Sequence, residues 1–206
     1  MTTPKGRAGT KGVPRAQRER QILAAATEEF GRRGYEAASL AAIAARVGVT
    51  KTLLHQYFGA KQDLYLACLT PIGDRLLDAV RTAMDEGGGA MPRTPLLVLR
   101  NIFTALEGRR EAWFVLYDAT LPAGGEAARA AARYREAIDR LAARGTADLL
   151  RAAGSGDALD AEALSHAWRG MVTALVRWWI RHPDQSPQAM ADRCARLFAA
   201  AGRAFG

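Results

Sequence analysis

Apolar residues recur at the spacing of an α-helix along nearly the whole chain, and this periodicity limits the fold more than any other feature of the sequence. In the first periodic segment, Ile22, Ala26 and Phe30 lie four residues apart and therefore on one helical face. β-Branched residues are sparse and never alternate with polar residues over several positions, as they would in a half-buried strand. The sequence therefore predicts an all-α fold with about nine helices.

Glycine and proline clusters divide this pattern into segments. Gly34 and Gly48 predict the ends of the first two helices, and a run of three glycines predicts the end of a long fourth helix. We expect a basic flexible arm (1–13), a three-helix head (14–61) and a helical body (62–206). The predicted helices lie at about 14–33, 40–46, 51–58, 60–86, 95–107, 110–121, 125–153, 160–181 and 187–204.

Positive charge is concentrated at the N-terminal end of the chain. The net charge is +8, and residues 1–61 contribute +7 of it through eleven Lys and Arg against four acids. A basic segment of this kind favours binding to nucleic acid or to an anionic membrane over a merely solvated surface. The Gly-rich arm is open to two interpretations, a disordered solubilising tail or a segment that contacts the DNA minor groove or phosphates.

Residues 39–61 have the pattern of a helix-turn-helix unit, in which two short helices flank a tight turn. Leu54 and Phe58 form the apolar side of the second short helix, so its opposite side is expected to face solvent. That opposite side has many hydrogen-bond donors and no acid, and lysine and glutamine can pair with guanine and adenine edges in a major groove. Hydroxyls at helix N-termini suit phosphate oxygens. The residues predicted to contact DNA are Ser39, Thr50, Lys51, Thr52, His55, Gln56, Tyr57 and Lys61.

The stretch from Arg18 to Leu69 resembles the N-terminal domain of the TetR (tetracycline-repressor-like) family of bacterial transcriptional regulators. "ILAAATEEFGRRGYEAASL" is similar to the family's first helix and its glycine-aromatic turn, and "IAARVGVTK" to its second helix and turn. "YFGAKQDLY" is similar to the end of its recognition helix and the start of helix four. The resemblance implies a three-helix DNA-binding head and a helical body that dimerises and usually binds a small molecule. The implied partners are double-stranded DNA, a small-molecule effector and a second copy of the chain.

The chain departs from the family's pattern around the start of helix four. Ala60 stands where the family usually has a capping Ser or Asn, a loss on the order of 1 kcal/mol. Asp63, in the first turn, is expected to compensate in part through the helix dipole. Leu53 and His55 also replace residue types that often contact DNA in the family. We therefore expect the remaining polar residues of the third helix to recognise the DNA sequence. The basic arm (1–13) is the second candidate for this role.

The last two predicted helices have apolar stripes that are broad for a single buried face. Leu164, Trp168 and Met171 follow one another at helical spacing in the first of these helices, and the stripe continues to its end. The resemblance places a four-helix homodimer interface there, with two helices from each subunit, and packing within one chain is the alternative. The predicted interface residues are Leu175, Trp179, Met190, Leu197 and Phe198.

Most aromatic residues outside the head cluster in the body, where core packing and the lining of a ligand cavity are both open interpretations. Tyrosine and tryptophan combine an apolar ring with a polar tip and suit a flat or apolar ligand. The body is nearly charge-balanced, so we expect a mostly apolar effector between the helices at 95–121 and those at 125–181. The predicted wall residues are Trp113, Tyr117, Asp118, Trp168 and Met171, with Asp118 as the one acid among them.

Other classes of function find little support in the residues. His55, His166 and His182 show no metal-ligand spacing, and the sequence has neither a nucleophile elbow nor a phosphate loop, so no catalytic residue, metal or cofactor is predicted. No apolar run reaches the roughly 18 residues of a membrane span, and a cytoplasmic location is expected. The predicted function is that of a homodimeric repressor, which binds a pseudo-palindromic operator and is released by an effector. The alternative is an architectural helix-turn-helix protein that binds DNA without a ligand.

Overall fold

The computed structural model describes residues 13–88 and 93–205, and within these ranges it contains nine α-helices and no strand. The all-α prediction is therefore confirmed. No helix in the described ranges is both long and apolar enough to cross a membrane. The helices are α1 (Arg15–Ala37), α2 (Leu40–Arg46), α3 (Lys51–Phe58), α4 (Lys61–Gly87), α5 (Arg93–Ala105), α6 (Ala112–Leu116), α7 (Glu126–Ala152), α8 (Ala158–Ile180) and α9 (Pro187–Phe205).

The first three helices form the head, and local hydrogen bonds set their ends. The Ser39 side chain accepts a hydrogen bond from Ala42 N (3.3 Å) at the start of α2. The Thr50 side chain accepts one from Leu53 N (3.1 Å) at the start of α3. Such caps stabilise a helix by about 1 kcal/mol each. Gly34 has φ 73° and ψ 169°, so the helical path of α1 breaks at the glycine that the sequence predicted as its end.

Helix α4 links the head to the body, because it packs against α1 and α3 as well as against α5 and α7. Leu64, Tyr65 and Leu69 are fully buried in its first turns. Ala60 provides no side-chain acceptor at its start, but the Asp63 carboxylate accepts a hydrogen bond from Ala60 N at 2.8 Å. Asp63 thus supplies one half of a capping box, in addition to the expected effect on the helix dipole.

The body consists of α4 to α9, with α9 packed on α5, α8 packed on α7 and α6 packed on α1 of the head. The predicted helix at 110–121 is much shorter in the structure, where α6 has five residues. Tyr117, its C-cap, has left the helical region at φ −100° and ψ 29°. The Asp118 side chain then accepts a hydrogen bond from Thr120 N at 2.8 Å. An aspartate that bonds the backbone two residues ahead competes with the continuation of a helix, and the chain turns there.

Two residues predicted for the dimer interface, Trp179 and Met190, are fully buried within one chain, so the prediction is wrong at these positions. The Trp179 ring packs edge-on against Phe103 of α5, with 5.3 Å between the ring centroids. Packing within the chain therefore buries residues that the apolar stripes and the family resemblance had assigned to an outer face. Of the other three residues, Leu197 is 52% exposed, whereas Leu175 and Phe198 are half-buried.

The close approach of α1 and α6 makes Gly31 a sensitive position. A Cβ added there would lie 2.2 Å from Glu111 O, a backbone atom that cannot move aside without shifting the start of α6. We expect Gly31→Ala to lower the free energy of unfolding by about 1–3 kcal/mol, although alanine is the better helix former. Urea denaturation measures this change, with Gly202→Ala in α9 as the control, since a Cβ at Gly202 meets nothing within 4 Å. Equal stability of the two variants would contradict this packing.

Candidate nucleic-acid interface and effector cavity

Helix α3 presents a polar face to solvent. Lys51, Thr52, His55 and Gln56 are all exposed, while Leu54 on the opposite side is fully buried. An α-helix such as α3, which has eight residues, is about 10–12 Å across with its side chains and therefore fits a major groove about 12 Å wide. The structure thus places four of the predicted DNA contacts together on one exposed face of a short helix.

Two buried charged residues of α1 hold the helix-turn-helix unit in place. Arg18, only 7% exposed, donates a hydrogen bond to Val47 O (3.1 Å) at the end of α2. Glu29, only 4% exposed, accepts one from Ser39 N (3.1 Å) and pairs with Arg33 (3.3 Å). Sequence reasoning missed both residues. The sequence signal that could have identified them is their position: both lie on the same face of α1 as the buried apolar residues, near the two ends of that face.

Three of the predicted phosphate contacts already bond to the protein itself. Ser39 and Thr50 accept hydrogen bonds as helix caps, and each hydroxyl keeps its proton free to donate. Lys61 Nζ donates to Glu36 O (3.2 Å) and lies 5.0 Å from the centre of the Tyr35 ring. Because an ammonium group has three donors, Lys61 retains donors for a phosphate oxygen.

The surface around α3 has positive charge without neighbouring acids in the sequence, since residues 37–62 contain no Asp or Glu. Lys51 is exposed and forms no ion pair with the described residues. Tyr57, half-buried near the end of α3, packs against the Arg15 guanidinium, which lies 5.3 Å from the ring centre. This chemistry suits a polyanion. Most of the predicted arm, residues 1–13, lies outside the described residues.

The body contains a cavity of about 770 Å³ between parts of α4 to α9, and this cavity is partly open to solvent. Trp113, Tyr117, Trp168 and Met171 line it, and the first two stack with 4.5 Å between their ring centroids. Phe198, predicted for the dimer interface, lines the cavity as well, and its ring centroid is 6.3 Å from that of Trp168. Sequence analysis missed many further wall residues, which share only an apolar character and a place on the inner helical faces. Among them are Val80, Met84, Ile102, Ile138, Leu149 and Leu164.

Among the described residues, one ion pair lies at the cavity wall. Arg169 Nη1 lies 2.8 Å from Asp139 Oδ2, and the same pair borders a second cavity of about 450 Å³ between α7 and α8. Burial, and secondarily the charge of Asp139, raises the pKa of Tyr117 above its ordinary value. The Tyr117 hydroxyl therefore stays protonated at neutral pH, and the wall offers donors and acceptors beside its apolar surface.

The sequence of the head matches a known family. Residues 22–68, which run from α1 through α2 and α3 into α4, match the family described as bacterial regulatory proteins, tetR family. The head belongs to the TetR family. Relatives and fold neighbours of the chain are named as transcriptional regulators, and they confirm the prediction that the chain is not an enzyme.

A curated relative matches about a third of the chain. The HTH-type transcriptional activator FasR of Mycolicibacterium smegmatis is 47% identical over 72 residues, which make up 35% of this chain and 33% of FasR. The chain thus matches about a third of the length of that relative.

Solved structures match most of the chain. A TetR-like transcriptional regulator from Rhodococcus sp. RHA1 is 28% identical with a TM-score of 0.61, over 95% of this chain and 100% of that one. The regulator FadR from Bacillus subtilis, solved in complex with stearoyl-CoA, is 16% identical with a TM-score of 0.57. That match covers 86% of this chain and 96% of FadR, and it shows a shared fold.

Within the body, Asp118 does not line the cavity, so the prediction of a wall residue is wrong at this position. Asp118 is 6% exposed, and its carboxylate accepts hydrogen bonds from Tyr35 N (2.6 Å) in the head and from Thr120 N (2.8 Å). The Tyr65 hydroxyl lies 2.6 Å from Val115 O and 3.2 Å from Asp118 Oδ2. Burial, followed by the charge of Asp118, raises the pKa of Tyr65, so its phenol stays protonated. Asp118 therefore joins the body to the head.

Proposed function

We propose that the protein is a sequence-specific DNA-binding transcriptional regulator that acts in the cytoplasm as a homodimer. The observation that carries this proposal is the exposed polar face of α3, which lies opposite the buried Leu54. The sequence around it, residues 37–62, contains no Asp or Glu. Lys51 and Gln56 on that face have the groups that read guanine and adenine edges. Thr52 and His55 complete the proposed base-reading face, and the proposed phosphate contacts at its margins are Ser39, Thr50, Tyr57 and Lys61.

A homodimer would place two heads on one DNA duplex, and we propose that α8 and α9 form its interface. The support is the apolar surface that remains on these helices, where Leu197 is exposed and Leu175 is half-buried. Ala167 and Gly170 of α8 are also exposed, and small side chains of this kind let two helices approach closely. A two-fold axis through this surface would relate the two α3 helices and would require an inverted repeat in the DNA.

We further propose that the cavity binds a mostly apolar effector through Trp113, Tyr117, Trp168 and Met171. Its volume of about 770 Å³ lies in the range of small-molecule sites. Arg169 and the Tyr117 hydroxyl supply donors for a polar end of the ligand. FadR of Bacillus subtilis, which shares the fold, was solved with stearoyl-CoA, and this supports an apolar or amphipathic ligand for the cavity.

In this proposal the effector releases the protein from its operator, which makes the protein a repressor. A ligand changes DNA affinity only if it binds two arrangements of the body unequally. Helix α4 connects the head to the cavity wall, where Val80 and Met84 lie. A tilt of α4 would therefore change the spacing of the two α3 helices. Coupling of about 1–3 kcal/mol is typical of such a device.

Footprinting on the DNA upstream of the protein's own gene tests the proposal. We expect protection of an inverted repeat whose half-sites lie about one helical turn apart or slightly more, and binding of a single half-site about 100-fold weaker. Binding that is independent of sequence and ligand would instead favour the architectural alternative. Expression from this DNA should rise in cells that lack the protein. A fall would indicate activation, the role that the name of FasR gives to that relative.

A further inference from the structure

Helix α6 connects the cavity to the head at both of its ends. Before its start, Glu111 O packs directly against Gly31 of α1, and the Glu111 carboxylate lies 3.4 Å from Arg32 Nη2. At its other end, Tyr117 lines the cavity, and the next residue, Asp118, bonds to the head. A ligand that displaces the Tyr117 ring therefore acts on backbone that is covalently joined to Asp118.

Both oxygens of the Asp118 carboxylate accept hydrogen bonds. Oδ2 accepts one from Tyr35 N at 2.6 Å, and Oδ1 accepts two from Thr120, from N at 2.8 Å and from Oγ1 at 2.7 Å. The Thr120 hydroxyl in turn accepts a hydrogen bond from Glu36 N at 3.1 Å. Two consecutive amides of the head are therefore held by two side chains of the loop between α6 and α7.

The head segment held in this way is the last turn of α1, which follows the break at Gly34. Gly34 has φ +73°, and a Cβ added there would lie 2.6 Å from Thr120 Oγ1, so a glycine is needed for this close approach. On its other side, Lys61 Nζ donates to Glu36 O at 3.2 Å. Helix α2 begins at Leu40, a few residues further on. The position of the helix-turn-helix unit relative to the body therefore depends on how this segment is held.

We propose that Asp118 and Thr120 hold the head through the hydrogen bonds that they accept from the amides of Tyr35 and Glu36, and that a ligand in the cavity breaks these bonds. We call this pair of hydrogen bonds the latch. Asp118 is in this view a positioning residue that acts on DNA affinity through the head. The inference rests on the proposed regulatory function and names the contact through which the cavity controls it. With the latch closed, the head is held in one orientation. With Asp118 withdrawn, the two amides turn to solvent and the head is free to reorient.

Amide hydrogen exchange at Tyr35 and Glu36 reports the state of the latch directly. Anilinonaphthalene sulfonate, an apolar dye whose fluorescence rises on binding, serves as the cavity probe. In the wild-type protein we expect saturating dye to accelerate exchange at both amides by about tenfold or more. Unchanged exchange at both amides with the dye bound would overturn the proposal. So would a failure of the dye to bind, because the latch requires a cavity that a ligand can enter.

Two variants separate the latch from general stability. Thr120→Val removes the acceptor for Glu36 N, and because Thr120 is exposed the fold should tolerate it. We expect fast exchange at Glu36 in this variant without dye, and fast exchange at both amides in Asp118→Asn. Thr104→Val is the matched control, since it removes an exposed hydroxyl that bonds to Arg100 O within α5. Slow exchange at both amides in Asp118→Asn would show that the carboxylate does not hold them.

Operator binding distinguishes the latch from the proposed function. We expect the dye to weaken operator binding by about fivefold or more in the wild type and in Thr104→Val, and by less than about twofold in Asp118→Asn. If Asp118→Asn binds the operator and responds to the dye like the wild type, the latch is wrong and the proposed function stands. If no sequence-specific complex forms with any variant, the proposed function is wrong, and the exchange rates at Tyr35 and Glu36 still decide the latch.

Discussion

Gln56→Ala should relax the base preference at one position in each half-site and lower affinity for the preferred operator by about 30-fold to 10⁴-fold. The side chain is exposed on α3 and has both a donor and an acceptor, which suits a bidentate contact to adenine. Each such contact is worth about 1–3 kcal/mol, and a dimer loses two. Alanine preserves the helix, so the loss reports readout rather than folding.

Lys61→Ala is the variant with which the effect of Gln56→Ala is compared. Lys61 is proposed to contact a phosphate, so its removal should weaken binding to all sequences and lower the salt slope by about 0.9 per subunit. Binding selection on randomised half-sites, with titrations at several salt concentrations, measures both effects. Arg140→Ala, which removes an exposed cation of α7 in the body, is the matched control. Uniform loss across all sequences in both head variants would show that the assignment of base and phosphate roles is wrong.

The head could be predicted from the sequence because its determinants are local. The hydroxyls of Ser39 and Thr50 cap helices that start at the next residue, and Gly34 breaks α1 where the periodic pattern stops. The four-residue spacing of Leu54 and Phe58 is sufficient to predict which side of α3 is buried. What local patterns could not supply is the support from α1, because Arg18 reaches the end of α2, which is 29 residues away.

The body was harder to predict because burial there depends on which helices meet. Trp179 lies in a stripe whose pattern predicts an outer face, but contacts with Phe103 of α5 and with Arg110 cover its ring. Asp118 follows a cavity residue in sequence, yet α6 ends at Leu116, and the chain turns so that the carboxylate bonds to the head. By contrast, Trp113 and Tyr117 were both predicted as wall residues and both line the cavity.

Arg110→Ala is expected to lower the free energy of unfolding by about 3 kcal/mol, which corresponds to a fall of about 6–12 °C in Tm for a chain of this size. The Arg110 guanidinium lies 4.0 Å from the centre of the Trp179 ring, at the C-terminal end of α8. It donates four hydrogen bonds to backbone carbonyls of one short segment, and no other described side chain bonds to four carbonyls in this way. The acceptors are Trp179 O (2.9 Å), His182 O (3.0 Å), Pro183 O (3.1 Å) and Gln185 O (2.8 Å).

The geometry of the guanidinium, rather than its charge, accounts for most of the loss expected for Arg110→Ala. A planar fork can serve four carbonyls and stack on an indole at the same time, whereas a lysine ammonium has three donors and no flat face. Arg110→Lys should therefore recover less than about half of the lost stability, although it keeps the favourable charge near the C-terminus of α8. Arg109→Ala is the matched control, because Arg109 is exposed and adjacent in sequence. Thermal and urea denaturation of the three variants measures these differences. A lysine variant as stable as the wild type would show that charge alone holds the loop after α8, and that the four hydrogen bonds contribute little.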